Sequence, residues 1–168
     1  MAVDTKVILR KLVDVFGLGR ADTEERLRLQ KTIYLLQAHG VRLGYGFSWY
    51  KYGPYSQELV YDAYRALCAE EAEYKRKAGT ITFNESTRQR FEKFRSALGD
   101  VLKDPKELEL LASLSFVCKV WHPDAQRPDV ARLFKTHKKC FYDRSPISDE
   151  AVRKAYDKLG ELKKALAN

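Results

Sequence analysis

The sequence predicts a mainly α-helical (α+β) fold, that is, a compact helical domain with a small β-hairpin or short sheet. Apolar residues recur at three- and four-residue intervals along most of the 168 positions, which is the spacing of amphipathic helices. Residues with high β propensity are confined to two short stretches, FSWYKY and GTITF. The sequence has no repeats, low-complexity tracts or long linkers, so we expect a single domain over residues 1–168.

The first two predicted helices have recognisable ends. An apolar stripe in VILRKLVDVF predicts a helix that stops at Gly17. Asp22 and Glu25 then have the spacing of a capping box, which predicts the start of a second helix. This helix ends near Gly40, and its broad apolar stripe indicates a core helix: Leu29, Ile33, Tyr34, Leu35 and Leu36.

An aromatic segment follows the second helix. Residues 45–64 contain eight of the twenty aromatic residues of the chain. Alternate residues of a strand face opposite ways, so Trp49 would share a face with Phe47, and Tyr50 with Tyr52. We therefore predict that Trp49 lies in the core and that Tyr50 and Tyr52 lie at the surface.

The Gly53-Pro54 pair is expected to end this strand. Proline has no N–H for a ladder, and it is favoured in the first turn of a helix. We therefore predict that Pro54 starts the next helix near Tyr55, and that Gly53 has an unusual backbone angle. The second β-prone stretch, Gly79 to Phe83, is expected to pair with FSWYKY.

The remaining helices are predicted from their caps. Asn84 or Ser86 would cap a helix that ends at Gly99, and Asp104 with Pro105 would start a second, strongly apolar helix. A short helix is predicted from Pro128 to Lys138. Ser148 would cap the last helix, whose acidic start and basic end suit the helix dipole.

Charge keeps nucleic acid among the candidate partners. The net charge is +8 and the sequence pI is about 9.3. A basic set lies beside Phe141 and Tyr142, the composition that grips a phosphate backbone and stacks a base: Arg132, Lys135, Lys138 and Lys139. Acidic residues are interspersed among these residues, so an ordinary solvated surface is the preferred interpretation.

Catalytic and metal-binding motifs give little signal. The sequence lacks the common nucleophile, phosphate-loop and zinc-protease motifs, so we expect neither an enzyme nor a cofactor. Cys118, His122, His137 and Cys140 supply zinc-binding atoms, but their spacing matches no common zinc motif. Because Cys118 continues the apolar stripe of its helix, we expect no metal there.

The sequence also bears on location. No apolar run approaches the roughly 18 residues that span a bilayer, and we expect no membrane partner. The N-terminal residues carry an early acid and no apolar core, unlike a secretory signal. Three cysteines do not make a disulfide framework, and they fit a reducing cytoplasm.

Three stretches together resemble one known family. LQKTIYLLQ, FSWYKYGPYS and LVYDAY are similar to the Panacea domain, the SocA-like antitoxin-associated domain of prokaryotes and phages. The resemblance implies an antitoxin module that neutralises a toxin by direct binding, or an adaptor that delivers the toxin to a protease. The resemblance implies no catalytic residues in this sequence. The positions that match the family motif are Leu29, Gln30, Lys31, Tyr34, Trp49, Gly53, Pro54 and Ser56.

Two functions are therefore open. The first is an antitoxin-like module that binds a cognate toxin through Tyr50, Tyr52 and Tyr55, because tyrosines combine apolar area with a polar tip. The alternative is a nucleic-acid-binding regulator with a winged-helix-like element, which would use the basic set around Lys135.

Overall fold

Eight α-helices and one antiparallel hairpin make up the computed structural model, which describes residues 2–167. The helices are α1 (Thr5–Phe16), α2 (Thr23–Ala38), α3 (Gln57–Tyr64), α4 (Glu71–Gly79), α5 (Glu85–Leu98), α6 (Pro105–Phe116), α7 (Arg127–Lys135) and α8 (Asp149–Leu166). The strands are β1 (Ser48–Tyr50) and β2 (Gly53–Tyr55). The predicted fold class, mainly helical with a small β element, is confirmed.

The predicted helix caps are present. Asp22 accepts from the backbone N–H of Glu25 at 2.8 Å, and the Glu25 carboxylate accepts from the N–H of Ala21 at 2.6 Å. Asn84 rather than Ser86 caps α5, since its side chain accepts from Thr87 N. Side-chain oxygens of Asp104 and Ser148 cap α6 and α8 in the same way.

The core is organised around α2 and α6, which pack on each other. Ile33 and Leu35 of α2 and Leu108 and Leu114 of α6 have no exposed surface. Helix α8 covers α6 and also packs on α5 and α7. The two helices that the sequence marks as most apolar are therefore the central ones, as predicted.

The prediction of a strand from Gly79 to Phe83 is wrong. Gly79 is the last residue of α4, and residues 81–84 are assigned to no strand. The ring of Phe83 instead packs edge-to-face on Phe91, with 5.1 Å between centroids. The hydrophobic residues of this stretch thus take part in side-chain packing. A β-prone composition is compatible with such packing as well as with strand pairing.

The role predicted for Gly53-Pro54 is also wrong. These residues do not end a strand but form β2, with Trp49 opposite Pro54 and Tyr50 opposite Gly53. A two-stranded ribbon tolerates proline because each strand is an edge strand. Helix α3 starts later, at Gln57, after the side chain of Ser56 caps it by accepting from Leu59 N at 3.3 Å.

Two helices run on into π-helical turns. One turn spans Arg65–Ala69 after α3, and the other spans Val117–Trp121 after α6. Such turns are often found at functional sites. The second turn places Trp121 against Trp49 of the hairpin, with 5.2 Å between ring centroids.

Candidate functional site

A groove of about 360 Å³ lies between the N-terminal half of α2, the hairpin and α3. We call it the hairpin groove. It includes all three tyrosines that the sequence marks for partner binding, together with three positions of the family motif. Its lining residues are Arg20, Thr23, Arg26, Leu27, Leu29, Gln30, Lys31, Tyr50, Lys51, Tyr52, Tyr55, Val60 and Ala63.

Polar side chains of α2 fasten the hairpin to the core. Buried Lys31 donates from Nζ to the carbonyl of Pro54 at 2.7 Å. Gln30 donates to the carbonyl of Ser56 at 2.9 Å and accepts from its N–H at 3.0 Å, which satisfies both backbone groups. Lys31 and Gln30 therefore set the position of β2 relative to α2.

Gly53 lets the hairpin approach α6. Its φ is +93°, a left-handed conformation that side chains disfavour, as predicted from the sequence. A Cβ atom at this position would lie 2.1 Å from Oγ of buried Ser113 on α6. The position therefore requires glycine for both its backbone angle and its contact.

A buried ion pair lies close to Lys31. Lys138 Nζ is 2.6 Å from Oε1 of Glu109 on α6, and both side chains are almost fully buried. The other oxygen of Glu109 accepts from the N–H of Tyr142 at 3.0 Å. Burial lowers the pKa of Lys31 to about 7; the charge of Glu109 opposes this shift, and that of Lys138 adds to it.

The hairpin tyrosines differ in exposure. Tyr50 is 64% exposed and stacks on half-buried Tyr55, with ring centroids 5.2 Å apart. Tyr52 is half-buried at the turn, where its ring meets that of Tyr142 edge-on. Tyr50 thus lies at the surface as predicted, whereas the expectation for Tyr52 holds only in part because Tyr142 covers one side.

Trp49 lies on the other side of the hairpin, towards the core. It is half-buried and packs against Phe116 at 5.6 Å and against Trp121 at 5.2 Å. On α2, buried Tyr34 packs edge-to-face on Phe47, and burial raises the pKa of Tyr34 to about 12. These motif aromatics are packing residues.

The cations of the hairpin groove contact groups other than carboxylates. Arg20 donates to the sulfur of Cys68 at 3.0 Å and lies over the ring of Tyr64. Arg26 donates to the Arg20 carbonyl and to the Thr23 hydroxyl, at 3.3 and 3.4 Å. Lys51 lies over the ring of Tyr52. The rim of the groove is therefore positively charged.

The basic set of the C-terminal region is paired with acids instead. Lys135 lies 2.8 Å from Asp149, Arg132 lies 3.6 Å from Asp129 on the same helix, and Lys138 belongs to the buried pair with Glu109. Lys139 is exposed. The structure thus removes Lys138 from the surface predicted for nucleic acid, because its ammonium neutralises a buried carboxylate.

The two histidines of the cysteine–histidine set come together. Nε2 of His122 is 2.9 Å from Nε2 of His137, so one ring donates and the other accepts. His137 also stacks on Trp121. Cys118 is half-buried, which raises its pKa, and Cys140 is exposed. Within residues 2–167, no three His, Cys, Asp or Glu side chains are grouped to hold a metal.

Sequence reasoning missed part of the hairpin groove. Arg20, Arg26 and Val60 come from three separate segments, and no local pattern connects them with Tyr50. Sequence reasoning also missed the burial of Glu109, which has no exposed surface. Its only signal was its place inside the strongly apolar stretch ELELLASL, where a charged residue needs a buried partner.

The chain matches no family model, no curated protein and no solved structure in the comparisons made. Each helix in the part of the chain that the structure describes is too short or too polar to cross a membrane. The molecule is thus defined by its own features, a mainly helical fold with a hairpin groove rich in tyrosine and basic residues.

Proposed function

We propose that this chain is an antitoxin-like module that binds a cognate toxin directly through the hairpin groove. The observation that carries the proposal is Tyr50, a large aromatic side chain that is 64% exposed at the edge of a groove. Exposed aromatic residues beside a concave surface are typical anchors of protein interfaces. The partner class comes from the resemblance of the motif stretches to the Panacea domain.

The anchoring of the hairpin supports this role. Lys31 and Gln30 bind the backbone of Pro54 and Ser56, and Gly53 brings the hairpin against α6. A binding surface that is rigid before the partner arrives loses less conformational entropy on association. The motif residues would thus preorganise the tyrosines. Inactivation of the toxin and its delivery to a protease both begin with this binding step.

The alternative, a nucleic-acid-binding regulator, has weaker support. Three of its four basic residues are paired with carboxylates, and one of those pairs is buried. A phosphate backbone would have to displace these acids before it could release counterions. The basic set around Lys135 is therefore a poorer candidate for binding than the hairpin groove.

A growth assay tests the proposal. The chain is expressed together with the protein encoded by the neighbouring reading frame, and growth is compared with expression of that protein alone. We expect growth to be restored by the wild-type chain and lost again with Tyr50→Ala/Tyr52→Ala. Tyr61→Ala is the matched control, because Tyr61 is also 64% exposed and does not line the hairpin groove.

Thermal melts of the purified variants separate binding from folding. Because Tyr50 is largely exposed, its truncation should leave the melting temperature almost unchanged. A folded double variant that still restores growth would contradict the role of the tyrosines. A wild-type chain that has no effect on a toxic neighbour would contradict the antitoxin function itself.

A further inference from the structure

We propose that the hairpin groove selects an acidic segment of its partner, in which carboxylates flank one large apolar or aromatic side chain. This inference rests on the proposed function, since it names the chemistry that the partner must present. The carboxylates would meet Arg20, Arg26 and Lys51 at the rim, and the apolar side chain would enter between Tyr55 and Val60.

The charge of the groove is the first argument. Its lining includes four basic residues and no acidic residue. The contacts of the rim cations are a sulfur, a carbonyl, a hydroxyl and aromatic rings, so these cations keep their capacity to bind carboxylates. Guanidinium groups bind carboxylates in a two-pronged geometry, which gives Arg20 and Arg26 selectivity as well as attraction.

The composition of the floor is the second argument. Leu27, Leu29, Val60 and Ala63 line the groove with aliphatic groups, which favour an apolar side chain. A nucleic-acid strand stacks successive bases on open aromatic faces, and the stack of Tyr50 on Tyr55 at 5.2 Å covers one face of each ring. The groove therefore favours a peptide over a single-stranded nucleic acid.

Lys31 provides a third argument from inside the groove. It lines the floor, and its ammonium is held by the carbonyl of Pro54. The neighbouring carboxylate, Glu109, is already paired with Lys138 at 2.6 Å. The buried set of Lys31, Lys138 and Glu109 thus has one cation more than anions when all three are ionised. An acidic segment above Lys31 would offset that excess.

Peptide selection tests the proposal without the natural partner. The full chain is immobilised and used to enrich a displayed library of random dodecapeptides. We expect the enriched peptides to carry aspartate or glutamate on both sides of an aromatic or long aliphatic residue. The affinity of a selected, fluorescently labelled peptide is then measured by anisotropy for the wild-type chain and its variants.

Two exposed pairs of cations give a matched comparison. Arg26→Gln/Lys51→Gln removes two charges from the groove, and Lys75→Gln/Arg76→Gln removes two exposed charges from α4. We expect the first variant to weaken peptide binding by about tenfold or more, and the second to change it by less than about twofold. Both changes lie at exposed positions, so the melting temperatures should match that of the wild-type chain.

Several outcomes would overturn the proposal. These are the absence of enrichment, enrichment of neutral or basic peptides, equal affinities for the two variants, and displacement of the peptide by a thymidine dodecanucleotide that binds more tightly. The growth assay keeps the two proposals apart. If Arg26→Gln/Lys51→Gln still neutralises the toxin, this inference falls and the antitoxin function stands. If acidic peptides bind but the wild-type chain neutralises nothing, the selectivity for acidic segments stands and the antitoxin function falls.

Discussion

The hairpin groove is a region in which two cations, Arg26 and Lys51, contact a carbonyl, a hydroxyl and a ring. The region at the end of α7 and just after it instead pairs Lys135 and Lys138 with carboxylates. Both regions contribute to the same net charge of +8, and both lie beside tyrosines. They differ in what surrounds each cation. The first region presents its charge to the solvent or to a partner, and the second pairs its charge with carboxylates of the same chain.

This difference shows that a count of basic residues does not locate a binding surface. An exposed cation that lacks a carboxylate partner can attract an anionic ligand, whereas a buried pair has been taken out of water at a large cost. Lys138 is the clearest case, because its partner Glu109 has no exposed surface. The number of basic residues in a segment is therefore informative only after those that are paired with carboxylates have been excluded.

The largest expected effect comes from breaking the buried pair. Lys138→Ala leaves Glu109 buried without its cation, and we expect it to lower the free energy of unfolding by about 3–5 kcal/mol. Lys135→Ala is the matched control, since its pair with Asp149 is partly exposed and should contribute less than about 1 kcal/mol. Urea unfolding measures both values.

A double variant sharpens this result. Replacement of both partners by apolar residues, Lys138→Met with Glu109→Leu, should recover most of the lost stability, because neither partner is then left without the other as a buried charge. Equal and small losses for Lys138→Ala and Lys135→Ala would mean that the two lysines belong to one solvated surface. The contrast between the two regions would then disappear.

The second prediction concerns Gly53, which holds the hairpin against α6. Gly53→Ala combines a left-handed backbone with a contact on Ser113, and we expect a loss of about 2–4 kcal/mol. Gly44→Ala is the control, because Gly44 has φ +85° but no atom within 4 Å of a new Cβ. Its loss should be limited to backbone strain, about 1 kcal/mol.

Removal of the Ser113 hydroxyl tests the contact directly. Ser113→Ala in the Gly53→Ala background should restore part of the stability, because Oγ is the nearest atom to the added methyl group. Equal losses for the two glycine variants, with no rescue, would show that the close approach of the hairpin to α6 is unimportant.

The sequence predicted features that depend on neighbouring residues and missed those that depend on distant ones. The caps at Asp22, Asp104 and Ser148 are confirmed because each involves residues two or three positions apart. Pro54 was misassigned because its local preferences suit both an edge strand and a helix start. The strand assignment depends on contacts with distant residues, those of Pro54 with Lys31 and of Gly53 with Ser113, sixty positions away.

The same distinction applies to the candidate site. The exposure of Tyr50 could be predicted, because strand alternation alone separates it from Trp49. The covering of Tyr52 could not, because it depends on Tyr142. The positive rim of the hairpin groove also required the fold, because Arg20 and Lys51 are thirty-one positions apart in the sequence and meet only when the hairpin folds back on α2.

The third prediction uses the lowered pKa of Lys31. The unfolded chain keeps the Lys31 proton up to the ordinary pKa of 10.5, whereas the folded chain releases it near 7. The unfolded state thus binds more protons in this interval, so the free energy of unfolding increases as the pH rises from about 7. The cost of burying a charged Lys31 is greatest below pH 7. The increase is about 1.4 kcal/mol per pH unit for one proton.

Lys31→Met should remove this dependence. The free energy of unfolding is measured for the wild type and the variant between pH 7 and pH 9 in about half-unit steps. The value for the wild type minus the value for the variant should rise with pH. Measurements stop there because Tyr34, with its pKa raised to about 12, makes the folded state bind more protons than the unfolded state above pH 10. Parallel curves for the two chains would contradict a lowered Lys31 pKa.

The smallest effect concerns His137, which lies between the two regions. Its ring stacks on Trp121, and Trp121 contacts Trp49 of the hairpin. Partial burial and the neighbouring charge of His122 lower the pKa of His137 below its ordinary 6.5. The folded state thus binds fewer protons than the unfolded state just below pH 6.5. The free energy of unfolding therefore decreases as the pH falls through that window.

The variant His122→Gln separates the two causes. It removes the neighbouring charge but leaves the stack on Trp121, so the pKa of His137 should rise, while its burial keeps that pKa below the ordinary value. Proton NMR titration of the imidazole signals measures this change. His39 is the internal control, because burial and the charges of Lys119 and Arg90 lower its pKa. If the midpoint of His137 is unchanged in the variant, the 2.9 Å contact between the two imidazoles does not set its protonation. The two regions would then be joined through Trp121 by packing alone.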